Sequence, residues 1–382
     1  MPGLSERLAP STERVEGLAP VLHVIPHLWS GAGAVVTRLC EGQRRHRPVV
    51  IVTAGSHDAH ADWSAYRARL RRAGVDHRTI DFFSRDEKTF WSSATALAAL
   101  IRESEPEVIH AHAGVPASGA AIARALSGTR PRLIGQMYSW GPDRPEWMNE
   151  QDMWGFARTD RVVCSADAYR DLLIRYGVPA RKLTYLPWGL QLDELPWRAG
   201  RQKPTPVIGF VGRIEPRKGQ LELVRAFARV RRTKGDARLE LVGPVSDEAY
   251  AAEIRAFIAR ARLGSAVRIK GAVPSAIACL RRWDLFVSLS SDEGQGLAVL
   301  EAMATGVPVL ARPVAGISDF LRDGETGVAL PRDSTKDIAG AILQSLGNWP
   351  QLQTIARRAR RMVERRYSWD RTVNRFEQLY WS

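Results

Sequence analysis

Three cysteines in 382 residues, Cys40, Cys164 and Cys279, are too few, too scattered and the wrong parity for a disulfide framework or a clustered metal site. Each adjoins an apolar residue and reads as a free thiol. No apolar run approaches the roughly 20 residues that cross a bilayer. The first 18 residues are polar, charged and proline-containing, without the apolar core of a signal peptide, so the expected location is cytoplasmic. Acidic side chains are in short supply: 41 Asp and Glu stand against 55 Lys and Arg, a formal charge of +14. Neither an aromatic-rich RNA motif nor zinc-finger spacing accompanies the basic clusters, which leaves nucleic acid out of the expected partners.

Arginine supplies most of that excess, densest in Arg225 to Lys234 and in Arg357 to Arg366. Two readings stand. The clusters are solvated helix faces in an arginine-biased composition, or they attach the protein peripherally to anionic membrane, where a basic residue gains about 1 kcal/mol.

What is present describes a globular α/β chain: 45% apolar residues, regular Gly and Pro, and enough length for two cores. Short apolar runs at Pro20 to Ile25, Pro48 to Thr53, His77 to Ile80, Val108 to Ala111, Arg132 to Met137, Arg161 to Ser165 and Leu183 to Leu186 read as strands buried on both faces. Helical segments alternate with them, at Ala61 to Ala73, Phe90 to Glu103, Pro116 to Leu126 and Asp167 to Tyr176. A proline-bearing stretch from Leu190 to Pro206 breaks the pattern. Strands then restart at Val207 to Val211, Ala237 to Val242, Val267 to Lys270, Leu285 to Leu289, Val307 to Ala311 and Val328 to Leu330. The expected organisation is a flexible segment at 1–19, a Rossmann-like domain at 20–195, a linker at 196–205, a second Rossmann-like domain at 206–366 and a terminal helix at 367–382. Such a pair binds ligands between the domains, beyond the carboxyl ends of the strands.

The most informative stretch runs from Leu285 to Leu330. Its apolar strand ends in the polar turn Ser290 to Gly296, and a helix-competent segment starts at Leu297. Gly294 and Gly296 let backbone approach a ligand, and the amides of Gln295, Gly296 and Leu297 lie at a helix N-terminus, a setting suited to phosphate. Glu293 and Glu301 suit hydroxyls instead, as charge-assisted acceptors. A sugar nucleotide presents hydroxyls on both sides of a diphosphate. Upstream, VIGFVGRIEPRKG (Val207 to Gly219) places Arg213 and Lys218 at a strand-to-helix junction, where two cations can clamp a diphosphate.

These residues carry a resemblance. Glu293 and Glu301 with seven residues between them, the Gly294-Gln295-Gly296-Leu297 turn and the following EAMATGVPV resemble the donor-site signature of retaining GT-B glycosyltransferases of the glycogen-synthase-like group, family 4 type. The resemblance runs from Val21 to the C-terminus and is strongest from Val207 to Val328. It implies two Rossmann-like domains facing across a cleft, with the helix after Tyr367-Ser368-Trp369-Asp370 returning to the first domain. It also implies a hexose transfer from a UDP- or GDP-linked donor to a hydroxyl acceptor such as a glycan, a lipid-linked saccharide or a small metabolite.

In that resemblance Arg213 and Lys218 hold the donor phosphates, Glu301 the ribose and Glu293 the hexose. Gly31 and Gly33 face the diphosphate across the cleft, and Gly243 and Val273 line the nucleotide through main-chain contacts. His112, at the end of His110-Ala111-His112, is expected to reach the cleft. Tyr138 stands where many relatives have a histidine, and Trp188 where they usually have asparagine. With Trp140 these make up the acceptor-side candidates, near Trp147 and Trp154 and the charged Asp143, Arg144 and Glu146. No cofactor beyond the nucleotide sugar and no metal is expected, and the chain lacks the Asp-x-Asp pair of metal-dependent transferases. Alternatives on the same scaffold are a sugar-nucleotide epimerase, a phosphorylase-like enzyme and a catalytically silent nucleotide-sugar binder.

Overall fold

The computed structural model describes residues 20–28, 30–43, 47–52, 64–81, 87–140, 146–198, 200, 203–273, 275–331 and 334–381. The 1–19 segment, part of the 196–205 linker, and Asp143 and Arg144 lie outside them.

Seven strands make the first sheet: β1 (Pro20–Ile25), β2 (Arg47–Val52), β3 (Asp76–Thr79), β4 (Val108–His112), β5 (Arg132–Met137), β6 (Arg161–Cys164) and β7 (Leu183–Tyr185). All pair in parallel, in the order β3-β2-β1-β4-β5-β6-β7. The connections include α1 (Ser30–Gly42), α2 (Ser64–Arg72), α3 (Glu87–Ser104), α4 (Gly114–Ser127), α5 (Glu146–Ala157) and α6 (Ala168–Arg175). The second sheet contains β8 (Val207–Val211), β9 (Arg238–Val242), β10 (Val267–Ile269), β11 (Leu285–Ser288), β12 (Val309–Ala311) and β13 (Val328–Ala329), also parallel, in the order β10-β9-β8-β11-β12-β13. Its helices are α7 (Gln220–Thr233), α8 (Glu248–Arg260), α9 (Ile277–Leu280), α10 (Leu297–Thr305), α11 (Thr335–Gly347) and α12 (Trp349–Arg366). The doubly wound expectation is met twice.

Strand order reverses between β1 and β4 in one sheet and between β8 and β11 in the other. Connections leave those neighbouring strands toward opposite faces, so a crevice opens at each reversal. The β8 and β11 ends carry Arg213 and Glu293, and the β4 end carries His112.

One face of the first sheet packs under α3, α4, α5 and α6 through Leu97, Ile101, Ala120, Phe156 and Leu173. The other face buries Val21, Val108, Ile134 and Trp188 against α1 and α13 (Trp369–Trp381), which brings Trp369, Val373, Phe376 and Tyr380. Arg132 also donates to the Leu379 and Tyr380 carbonyls, at 3.1 Å each. Thus α13 follows the second sheet in sequence yet completes the core of the first.

One element departs from the sequence expectation, and another is not anticipated by it. Gly31 and Gly33, read as a glycine loop, belong to the first turn of α1. A Cβ at Gly33 would lie 2.4 Å from the Leu28 carbonyl carbon, so that glycine lets the helix start pack directly on the preceding chain. The tryptophan cluster after Trp140 is partly helical, with Trp147 and Trp154 on α5.

Candidate functional site

Beside the second reversal, the ends of β8 and β9 are interlocked by glycine. Gly212 follows β8 and Gly243 follows β9, and a Cβ on Gly243 would sit 2.0 Å from the Gly212 carbonyl oxygen. Only bare backbone fits there, at a φ of +147° for Gly243. Beside this pair lies a cavity of about 470 Å³. Gly212, Arg213, Gly243, Pro244, Val273 and Ile277 form one wall; Glu301, Arg38, Leu190 and Glu194 form the other.

Charge in that cavity is arranged around Glu301. Burial pushes its carboxyl up to about 7, with Arg38 opposing the shift and Glu194 adding to it. Arg38 Nη2 reaches Glu194 Oε2 at 3.0 Å, joining α1 to the crossover between the sheets. Neither residue was singled out from the sequence, and both line the cavity.

The second acidic and basic pair meets beside β11. Lys218 Nζ lies 2.7 Å from Glu293 Oε1, which also accepts from Ser290 Oγ at 2.8 Å. The turn carrying Lys218 is held there because Ser291 N–H donates to the Arg217 carbonyl at 2.9 Å. A Cβ at Gly219, φ +70°, would come within 2.7 Å of the Leu289 carbonyl. Arg217 is engaged by Glu215 at 3.1 Å and Asp292 at 3.3 Å, and Arg213 meets Glu215 at 3.3 Å. The sequence reading has both glutamates facing one crevice; Glu301 lines the cavity, whereas Glu293 turns to Lys218.

The turn before α10 is docked on the first half of the chain. Gly296 takes a φ of +73°, and a Cβ at Gly294 would lie 2.4 Å from the Tyr138 carbonyl. Ser165 Oγ donates to the Gly294 carbonyl at 3.2 Å and Tyr169 Oη to the Glu293 carbonyl at 2.9 Å. Gln295 brackets one backbone residue: Trp188 N–H donates to its Oε1 at 2.6 Å, and its Nε2 donates to the Trp188 carbonyl at 2.7 Å. From the sequence Gln295 is expected to act through its main chain alone.

Across the cleft two expectations need correction. His112 is fully buried and does not reach the cleft; its Nδ1 bonds Tyr138 Oη at 2.8 Å and its Nε2 lies 3.0 Å from His23 Nδ1. Burial, with His110 and His23 beside it, holds its pKa well below the usual imidazole range, so the ring is neutral. Trp188 is 1% exposed and stacks on Tyr138, Phe376 and Trp369, which makes it core and not an acceptor contact. The cause is α13: its aromatics cover the face on which Trp188 would otherwise open.

Tyr138 is half-buried, and burial raises its hydroxyl well above the usual phenol range. Half-buried Trp140 packs on Tyr176 at a centroid distance of 5.5 Å. Trp147 and Trp154 are exposed, and the Arg158 guanidinium lies 3.8 Å over the Trp154 ring. After His112 the chain passes through Ala113 at φ +102°, a conformation that costs an alanine about 1–3 kcal/mol. It stands at the β4 end of the first reversal.

The profile of glycosyl transferases group 1 matches residues 192–362, and that of Glycosyltransferase Family 4 matches residues 29–194. The chain is 34% identical over 218 residues to the D-inositol 3-phosphate glycosyltransferase of Nocardia farcinica, covering 53% of this chain and 48% of that protein. It is 29% identical over 347 residues to the protein of the same name from Geodermatophilus obscurus, covering 85% and 72%. The match thus spans about half the length of the Nocardia relative. The crystal structure of Anabaena HepE in complex with UDP and glucose shares the fold, with a TM-score of 0.81 at 17% identity, over 94% of this chain and 99% of that one. With adjoining profiles over both halves and the same two-sheet architecture throughout, the chain belongs to the group 1, family 4 glycosyltransferases of GT-B fold.

Proposed function

We propose that this protein moves a hexose from a nucleoside-diphosphate sugar to a hydroxyl acceptor with retention of anomeric configuration. The observation that carries the reading is the cavity that unites Glu301 with the Gly212-Arg213 and Gly243 turns, beside the Lys218 and Glu293 pair. In this reading Glu301 accepts from the ribose hydroxyls, and the main chain at Gly243 and Val273 borders the nucleoside. Arg213, Lys218 and the amides of Gln295, Gly296 and Leu297 meet the diphosphate, with Gly31 and Gly33 at the α1 start opposite. Charge developing on the departing diphosphate is then stabilised by groups fixed before it forms. Glu293, released from Lys218 when phosphate takes the ammonium, orients the hexose. His112 works at one remove, holding the Tyr138 hydroxyl. The departing diphosphate helps deprotonate the acceptor on the face it leaves, and no step runs through a metal.

Among the described residues no helix is long and apolar enough to cross a membrane. We place the protein in the cytoplasm, at the surface of anionic membranes through α12, whose Arg357, Arg358, Arg361, Arg365 and Arg366 are exposed.

Lys218→Ala and Glu293→Gln each lower transfer and donor hydrolysis by about 10²–10³-fold with thermal stability near that of the parent. Unchanged turnover in both variants would sink the reading. Isomerised sugar nucleotide formed from donor alone would support the epimerase alternative, and tight nucleotide binding with no turnover on any acceptor the silent binder.

A further inference from the structure

Beneath α13, away from the cavity, three histidines converge. β1 and β4 are adjacent, with His23 directly opposite His110 in the register. Strand alternation sends His112 to the same face as His110. All three rings are fully buried, and one nitrogen from each falls within 4.8 Å of the others.

The two nitrogens of each ring divide by role. The candidate ligand atoms are His23 Nδ1, His112 Nε2 and His110 Nε2. The first two lie 3.0 Å apart. His110 Nε2 and Gln136 Oε1, both buried, contact each other without reaching full hydrogen-bond geometry. The outward set is fully engaged by side chains: His112 Nδ1 with Tyr138 Oη at 2.8 Å, His110 Nδ1 with Tyr380 Oη at 2.8 Å, and His23 Nε2 with Gln43 Oε1 at 3.4 Å. A metal-ligating histidine shows this division, one nitrogen toward the ion and the other fixing ring orientation through an outer partner.

We propose that His23, His110 and His112 form a three-imidazole site for a divalent transition ion of the Zn²⁺ class, joining β1 to β4 under the C-terminal helix. Zn–N bonds of about 2.0–2.1 Å in a tetrahedron set ligand nitrogens roughly 3.3 Å apart, close to the His23–His112 spacing. Such an ion gives His110 Nε2 a well-aligned partner and puts a proton on every outward nitrogen, each then a donor. Gln136 Oε1 is the protein oxygen at hand for the fourth position. A cluster held by hydrogen bonds alone must place a proton between His23 and His112 and leaves His110 Nε2 only the poorly aligned Gln136 Oε1. Chemically the site calls for neutral imidazole ligands and a borderline ion, not the hard oxygen set of Mg²⁺ or Ca²⁺. The ion takes no part in sugar transfer; its role is to hold Tyr138, and through Tyr380 α13, in place.

The test uses the full chain without an affinity tag, stripped with chelator and dialysed against Zn²⁺ or Co²⁺. One equivalent of zinc should persist through gel filtration by elemental mass spectrometry, with a higher melting temperature than the stripped protein. The Co²⁺ form should show the intense visible bands of a four-coordinate ion. His23→Gln and His110→Gln should each raise the Zn²⁺ dissociation constant at least about tenfold and abolish the zinc-dependent thermal shift. If either variant fails to fold, the stoichiometry and Co²⁺ spectrum of the parent decide. Substoichiometric zinc without a thermal shift, a Co²⁺ spectrum of the hydrated ion, or zinc binding unchanged in both folded variants overturns the proposal. These readouts are independent of glycosyl transfer.

Discussion

Glu301 pays for its position with desolvation. Its carboxyl is raised to about 7 from an ordinary 4.5, so between those values the folded chain keeps a proton that the unfolded chain releases. Stability therefore falls as pH rises from about 4.5 to 7, and the full cost is present above 7. Glu301→Gln removes the cost: its melting temperature should gain on the parent through that window and hold a constant lead above it. The same change should weaken nucleoside-diphosphate binding about tenfold at pH 8, since a neutral amide is a poorer acceptor than a carboxylate. Calorimetry across pH and titration with UDP and GDP check both, and a melting difference independent of pH contradicts the burial argument. Glu301 was legible in the sequence because its spacing from Glu293 is local. Arg38 was not: its partner Glu194 lies 156 residues away, and an arginine among so many in this chain carries no signal. Ala113 is silent for another reason, since nothing in an alanine announces a φ of +102°.

At the scale of elements, strands were legible wherever buried on both faces, because a short apolar run has few other uses. The helices that escaped did so through composition. In α1 the glycines suggest a loop; in α5, Trp147 and Trp154 face solvent while Asp152, Met153 and Phe156 are buried, which blurs the apolar stripe. Gly31 and Gly33 separate two uses of glycine within one helical turn. Nothing lies within 4 Å of a Cβ built at Gly31, whereas at Gly33 it strikes the Leu28 backbone. Gly31→Ala should stabilise the protein by about 0.5–1 kcal/mol through helix propensity. Gly33→Ala should destabilise it by at least 1–3 kcal/mol, about the range for forced overpacking. Denaturant titrations of the two variants decide, and equal effects would mean that α1 does not start where described. If the α1 start also approaches the donor diphosphate, Gly31→Ala should lose donor affinity while gaining stability.

For the whole molecule, the site is a property of the assembly of two sheets. Glu293 and Gln295 are placed by Tyr169, Ser165 and Trp188 of the first half as firmly as by β11. No local pattern states that, which is why the glycine turn before α10 was readable from its own residues and the opposite wall was not. The outer charge belongs to this scale too. If α12 meets anionic lipid, the protein should sediment with phosphatidylserine vesicles and not with phosphatidylcholine alone, and release as salt shortens the screening length to about 3 Å at 1 M. Arg357→Glu, Arg361→Glu and Arg365→Glu combined should abolish the association and leave the fold intact; vesicle binding that is indifferent to salt or to these changes removes the membrane reading.

The return of α13 has a consequence for how the chain is made. The first sheet emerges from the ribosome with Trp188, Val21 and Ile134 uncovered, and the helix that covers them is encoded only after the entire second sheet. At roughly 5–20 residues per second, the interval before α13 is available lasts on the order of 10–40 s. During translation the first half is therefore an unfinished core with an aromatic face open to other chains, and the act that seals it also binds the two halves into one molecule.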